Sequence, residues 1–158
     1  MKIFVTGGTG FVGREIVRQL HEEGRTIRLL VRNPDSERVQ ELISRYRVEV
    51  RAGNVLDAGS LAGALEGMHA VIHLVGIISE IRENTFENVH TTGTQNILAA
   101  TREAGIERFV HMSALGVRPA PAKWKSTVFD RVWLLSPKDG RMQLQDLPQR
   151  LLHGDSKH

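Results

Sequence analysis

Ile3-Phe4-Val5-Thr6-Gly7-Gly8-Thr9-Gly10-Phe11-Val12-Gly13 decides how the rest of this chain reads. Ile3, Phe4 and Val5 form the apolar run of a short strand, and from Phe11 onward Val12, Ile16, Val17 and Leu20 fall on one face of a helix. Gly7, Gly8 and Gly10 lie between strand and helix, and Gly13 falls in the first turn of the helix. A strand that turns sharply into a helix needs residues free of Cβ, and the exposed N–H groups of the helix's first turn attract a pyrophosphate. Gly8-x-Gly10-x-x-Gly13 also matches the dinucleotide fingerprint, with a strand before it and a helix after it as that fingerprint requires. Gly7, Gly8, Thr9, Gly10, Phe11, Val12 and Gly13 are therefore read as cofactor-binding residues.

The pattern continues outward. Gly24 stops the first helix and Thr26 to Val31 reads as a second strand, broken by Asn33-Pro34. Ser36 to Arg45 carries Val39, Leu42 and Ile43 on one helical face, and Arg47 to Arg51 alternates as a third strand should. Asp57 reads as the N-cap of a short helix holding Leu61, Ala64 and Leu65, closed by Gly67. His69 to Val75 is a continuous apolar run suited to the middle of a parallel sheet, a long helix is expected from about Thr85 to Ala104, and Phe109 to Met112 is a fifth strand. Strands and helices alternating in this way predict an α/β fold of the Rossmann type, a doubly wound parallel sheet with helices on both faces. Ligands of such sheets lie at the carboxyl ends of the strands, which puts Gly7 to Val12, Arg32, Asn54, Gly76 and Ser113 on one rim.

Near Arg118-Pro119-Ala120-Pro121 the character changes. The expected division is a dinucleotide-binding domain over 1–118 and a divergent, mostly helical tail over 119–158. Trp124, Val128, Val132 and Leu135 recur at helical spacing, so a helix is predicted over about 122–135, with a second patch at Leu147, Leu151 and Leu152.

Composition sets outer bounds. The 158 residues suffice for one core, and 41% hydrophobic and 25% charged residues are ordinary for a globular protein. A net charge of +3, with basic residues scattered among acidic ones, points to no nucleic-acid partner. The absence of cysteine excludes disulfides and thiolate chemistry. Ile3 to Val5 is too short for a signal-peptide core, and the uncharged stretch Ala70 to Ser79 is about half a membrane span, so a cytoplasmic location and no direct membrane segment are expected. The histidines show no helical His-x-x-x-His pair around a glutamate, and no metal site is expected.

Cofactor choice turns on the end of the second strand. An acidic side chain there would accept hydrogen bonds from the adenine ribose of NAD. This chain has Arg32, whose guanidinium suits a 2′-phosphate, so NADP(H) is favoured over NAD(H). Asp35 lies beyond Pro34 in the following loop and is the weaker candidate for that position.

Taken together, these stretches resemble the atypical, extended-type short-chain dehydrogenase/reductases, also described as NAD-dependent epimerase/dehydratase-like, and most closely the branch of the NAD(P)H-binding accessory subunit of respiratory complex I. The resemblance rests on Val5 to Gly13, whose Gly7-x-x-Gly10-x-x-Gly13 spacing is typical of the family, and on Leu30 to Asn33, Gly53 to Asp57, Val71 to Ile78, Phe86 to Asn96 and Arg108 to Gly116. It covers roughly residues 1–118. It implies that Asn54 and Val55 border the adenine, that Leu74, Val75 and Gly76 pass beneath the nicotinamide-side ribose, and that Ser113 ends its strand beside the nicotinamide.

Catalytic members of the superfamily carry a tyrosine, and a lysine four residues later, after the fifth strand; the phenol exchanges a proton with substrate. Here the one tyrosine is Tyr46, between the second and third strands, while Lys123 and Lys125 each follow a proline by four residues. His90 stands where many active members have asparagine, and Ala114 and Leu115 stand where a further serine or threonine is common. Ser113 and His90 remain the candidate catalytic residues. The expected function is nucleotide binding without autonomous catalysis. The alternatives are an NADP-dependent oxidoreductase or sugar-nucleotide epimerase, and a redox-sensing or respiratory-complex assembly subunit; a protein partner or a second copy of the chain stays open. Family members continue well beyond this length, so a truncated or frameshifted origin of the 119–158 tail is a further expectation.

Overall fold

A computed structural model describes residues 1–112, together with the backbone of 131–135 and 142–146. Strand β1 (Lys2–Thr6) passes through the glycine turn into helix α1 (Phe11–Glu22), followed by β2 (Thr26–Val31), α2 (Glu37–Tyr46) and β3 (Glu49–Ala52). A 3-10 turn at Ala58–Leu61 leads to β4 (Ala70–His73); a π-helical turn at Glu87–Thr92 runs directly into α3 (Gly93–Glu103), and β5 (Arg108–Met112) follows. These five strands are parallel, in the order β3-β2-β1-β4-β5, with Ile3 opposite both Ile27 and Ala70. β6 (Arg131–Leu135) and β7 (Met142–Asp146) extend the sheet antiparallel beyond β5.

Alternation along β1 divides the core. Ile3 and Val5 point to one face, where they join Val17 of α1, Val39 and Leu42 of α2, and Ile27, Leu29 and Val31 of β2. Phe4 points to the other, with Val71 of β4, Ile97 of α3, Phe109 of β5 and Leu61, Leu65 and Met68 from the β3–β4 connection. Both faces are covered, as an all-parallel sheet requires. Each fully buried large side chain in these clusters contributes about 1.5–3 kcal/mol of hydrophobic stabilisation.

Three predicted elements differ. The helix expected after Asp57 is a single 3-10 turn, with the Asp57 carboxylate accepting from Gly59 N at 3.0 Å; Gly59, Gly63 and Gly67 make a longer helix unfavourable. The helix expected from about Thr85 begins as a π-helical turn before settling into α-helix at Gly93. Residues 131–135, predicted as the end of a helix, form β6, with Phe109 opposite Leu135 and His111 opposite Trp133. Four apolar residues at helical spacing were too short a signal. Val132 and Trp133 suit a strand, and the open edge of β5 offers unpaired N–H and C=O groups to pair with. The rest of the predicted helix, Leu147, Leu151 and Leu152 lie outside the described residues. Among the described residues, no helix is long and apolar enough to cross a membrane, and no group of three or more acidic or histidine side chains converges as a metal site.

Candidate functional site

The strand order reverses at β1: the chain steps outward to β2 and β3 on one side, and to β4 and β5 on the other. Such a switch point leaves a crevice beyond the carboxyl ends of the strands, because successive crossovers depart to opposite faces. The crevice here is a cleft of about 520 Å³. Gly7, Thr9 and Gly10 enter it from the turn after β1, Arg32 and Asn33 from the end of β2, Gly53 to Leu56 from the end of β3, and Leu74 to Ile77 from the end of β4.

The glycine turn is shaped by contacts no other residue would permit. Gly7 has φ of +73°, and a Cβ there would sit 2.9 Å from the Leu74 carbonyl carbon. Gly10 N donates to Gly7 O at 3.0 Å and Arg14 N donates to Gly10 O at 3.0 Å, carrying the turn into α1. A Cβ on Gly13 would collide with the Gly7 carbonyl oxygen and lie 2.7 Å from Gly8 Cα, so helix and turn are in direct backbone contact. Gly10 caps α1 without any side-chain hydrogen bond, and no acidic residue occupies the first turn. The positive end of the helix is thus left to an external anion. A dinucleotide pyrophosphate fits this cradle.

At the β2 end, Arg32 and Arg38 both line the cleft, together with Ser36 and Asn33. Among the described residues lining it there is no carboxylate, and Asp35 does not reach it. Asn33 Oδ1 accepts from Asp35 N at 3.1 Å, which folds the loop so that α2 begins beside Arg32. Asn54 builds its own turn, accepting from Leu56 N at 3.1 Å, while Val55 is buried and its carbonyl accepts from Asn96 Nδ2 at 2.9 Å.

The opposite end is braced from below. Leu74 N donates to Thr6 O at 3.1 Å, holding the strand exits of β1 and β4 together. His73 is fully buried, with Nδ1 2.6 Å from Thr6 Oγ1 and Nε2 3.2 Å from Thr94 Oγ1. Burial pushes its pKa down to about 3, with the neighbouring His111 and His90 adding in the same direction. His111 stacks on it with ring centroids 5.3 Å apart and is also held below its ordinary value, chiefly by burial.

The predicted site residues separate on this geometry. Gly7, Thr9, Gly10, Arg32, Asn54, Val55, Leu74, Val75 and Gly76 meet around one cleft. Gly8, Phe11, Val12 and Gly13 do not line it; Phe11 is 88% exposed, and Gly8 and Gly13 serve the packing of the turn. His90 also stays off the cleft. Its Nε2 lies 3.2 Å from Ile77 N and 3.0 Å from Ile77 O, and its ring stacks on Phe86 at 6.0 Å, so it fastens the wall formed by Ile77. Ser113 lies outside the described residues. Tyr46 packs edge-on against His21 at 5.4 Å with the Arg45 guanidinium 5.6 Å from its ring, away from the cleft. Ser36, Arg38, Asn84 and Val89 line the cleft without having been singled out in the sequence. For Arg38 a signal existed, since it follows Arg32 across the Asn33-Pro34 break at the start of a helix.

The family model described as NAD(P)H-binding matches residues 7–147. The chain is 34% identical over 125 residues to a 3 beta-hydroxysteroid dehydrogenase/Delta 5-->4-isomerase of Mycobacterium tuberculosis, covering 73% of this chain and 32% of that protein. It is also 34% identical over 121 residues to the photosystem II assembly factor Ycf39 of Synechocystis, covering 77% of this chain and 36% of the relative. The chain therefore spans about a third of the length of these curated relatives. Among solved structures, a short-chain dehydrogenase/reductase superfamily protein from Agrobacterium tumefaciens with bound NAD superposes with a TM-score of 0.59 at 33% identity, over 72% of this chain and 33% of that one.

Proposed function

This chain belongs to the NAD(P)H-binding family, and we propose that it holds NADP(H) in preference to NAD(H), as a cofactor-binding protein without autonomous catalysis. The observation that carries the preference is the cleft lining at the end of β2, where Arg32 stands and no carboxylate is found among the described residues. A ribose 2′-hydroxyl is held by an acid that accepts its hydrogen bonds; a 2′-phosphate needs donors and positive charge. When bound, the nicotinamide supplies a hydride donor or acceptor. The chain's own residues cradle the pyrophosphate on the Gly7–Gly10 turn, border the adenine with Asn54 and Val55, and support the nicotinamide-side ribose with Leu74, Val75 and Gly76.

The proposal of binding without turnover rests on the proton donor. The chain's one tyrosine, Tyr46, packs against His21 away from the cleft, and His90 is engaged with the Ile77 backbone. Two of the relatives bear the names of a dehydrogenase/isomerase and of an assembly factor, and the second suits a bound nucleotide that stabilises a contact surface.

A thermal-shift titration with NADPH, NADP, NADH and NAD tests the reading. Saturation at a hundredfold excess over Kd stabilises by about 2.7 kcal/mol, so binding is plain to see. The NADP(H) pair should give the larger shift and Arg32→Asp should reverse the order. Indifference to that change removes the cofactor assignment, and turnover of a carbonyl, quinone or sugar-nucleotide substrate by the chain alone removes the claim about catalysis.

A further inference from the structure

We infer that Asn84, on the connection between β4 and α3, is a further cofactor-binding residue whose carboxamide takes the hydroxyls of the nicotinamide-side ribose. This deepens the proposed cofactor assignment and rests on it. Of the five asparagines in the chain, Asn33 and Asn54 accept from the backbone N–H groups of Asp35 and Leu56, while Asn88 and Asn96 donate to the carbonyls of Glu83 and Val55. The carboxamide of Asn84 has no such bond among the described residues, and Asn84 lines the cleft. The wall there is otherwise apolar. Leu74, Val75, Gly76 and Ile77 form it at the exit of β4 and Val89 closes it before α3, so among the described residues Asn84 supplies the one polar side chain on that side.

Backbone bonds alone set the position of Asn84. Ile81 N donates to Asn84 O at 3.2 Å and Asn84 N donates to Ile81 O at 3.1 Å, closing a tight turn through Arg82 and Glu83. Arg82 takes φ of +54°, a conformation that residues with a Cβ seldom adopt, so contacts on either side must hold it. Phe86 N donates to Glu80 Oε1 at 2.7 Å and Asn88 N donates to Thr85 Oγ1 at 3.0 Å, which fixes the loop to the start of the following helix. The loop therefore keeps its shape without the Asn84 side chain. A carboxamide carries two N–H donors and a carbonyl acceptor, which matches a ribose diol whose hydroxyls each donate and accept. The nicotinamide-side ribose is the diol assigned to this wall, through Leu74, Val75 and Gly76.

The test is isothermal calorimetry on the full chain with NADP and NAD, and with 2′,5′-ADP and 5′-AMP, their adenosine halves, which lack the nicotinamide-side ribose. Asn84→Ala should weaken both dinucleotides about three- to tenfold, the loss of one or two hydrogen bonds, and leave both fragments within about twofold. Asn84→Leu, similar in size but without polar atoms, should lose as much, and Asn84→Gln, which keeps the carboxamide, should recover part. Equal weakening of dinucleotides and fragments, or of neither, overturns the Asn84 contact and leaves the cofactor reading standing. Failure of the unaltered chain to bind either dinucleotide overturns the cofactor reading itself. Trypsin cleavage after the exposed Arg82, followed by mass spectrometry without ligand, should run at the same rate in parent and Asn84→Ala. Faster cleavage in the variant would trace the lost affinity to a loosened loop and overturn the contact.

Discussion

Thr6 Oγ1 lies 2.6 Å from His73 Nδ1, joining the last residue of β1 to the last residue of β4 immediately beneath the glycine turn. The other ring nitrogen faces Thr94 Oγ1 of α3, so one fully buried imidazole ties two strands and a helix. A neutral ring offers one donor and one acceptor, and both hydroxyls can turn to match. A protonated ring would have two donors and a buried charge with no acid beside it among the described residues, and burial accordingly sets its pKa near 3.

The sign of the resulting pH dependence is fixed by that depression. The unfolded chain takes up the His73 proton near 6.5 and the folded chain near 3, so the stabilisation is complete above 6.5 and is lost as pH falls towards 3. The loss should run at about 1.4 kcal/mol per pH unit within that window, with His111 adding in the same direction. His73→Gln keeps an amide donor and acceptor but does not titrate. Urea unfolding of parent and variant at pH 7, 6 and 5 should show the shallower slope in the variant; parallel slopes would remove His73 from the account.

Gly13→Ala places a methyl group against the Gly7 carbonyl oxygen and Gly8 Cα. Neither neighbour is a flexible side chain, so α1 must back away from the turn at a cost of about 1–3 kcal/mol. Nucleotide-induced stabilisation should fall more than the melting temperature without ligand, because the displaced element is the phosphate cradle. Equal losses would mark Gly13 as a packing residue alone.

Phe109 and Phe11 should behave as opposites. Phe109 is fully buried in the cluster around Phe4, Val71 and Ile97, and Phe109→Ala should cost about 3–5 kcal/mol in chemical denaturation. Phe11, 88% exposed, should be replaceable by serine within about 0.5 kcal/mol of the parent.

Arg28 links the sheet to the β3–β4 connection. Its Nη1 donates to the carbonyls of Ala64 and Glu66, both at 3.1 Å, while Nη2 lies 2.8 Å from Glu49 Oε2. Arg28→Met should destabilise by about 1–2 kcal/mol, allowing for solvent screening of a side chain 22% exposed. Arg28→Lys should recover less than half of that, since one ammonium cannot span two carbonyls and a carboxylate on opposite sides. Full recovery in a denaturation midpoint would show that charge alone matters there.

Much of this molecule follows from short-range pattern. The five parallel strands, the helices after β1 and β2, and the glycine turn are legible because strand alternation, helical periodicity and the need for a Cβ-free bend act over a few residues. Gly7, Arg32, Asn54 and Gly76 could be put on one rim because each lies just beyond the carboxyl end of a strand in the same parallel sheet.

Other features depended on partners far away in the chain. Residues 131–135 carry a pattern that serves helix or strand, and pairing with the open edge of β5 settles it. His90 could be aligned with a catalytic position, yet its ring is spent on the Ile77 backbone thirteen residues earlier. Arg38 reads as one more surface cation until the Asn33–Ser36 loop carries it to the wall that Arg32 occupies. Local sterics and periodicity are written residue by residue, and they suffice for the strands and the phosphate turn. Which donors converge on one ligand, and which titratable ring is buried between two hydroxyls, comes from the packing of segments distant in the chain.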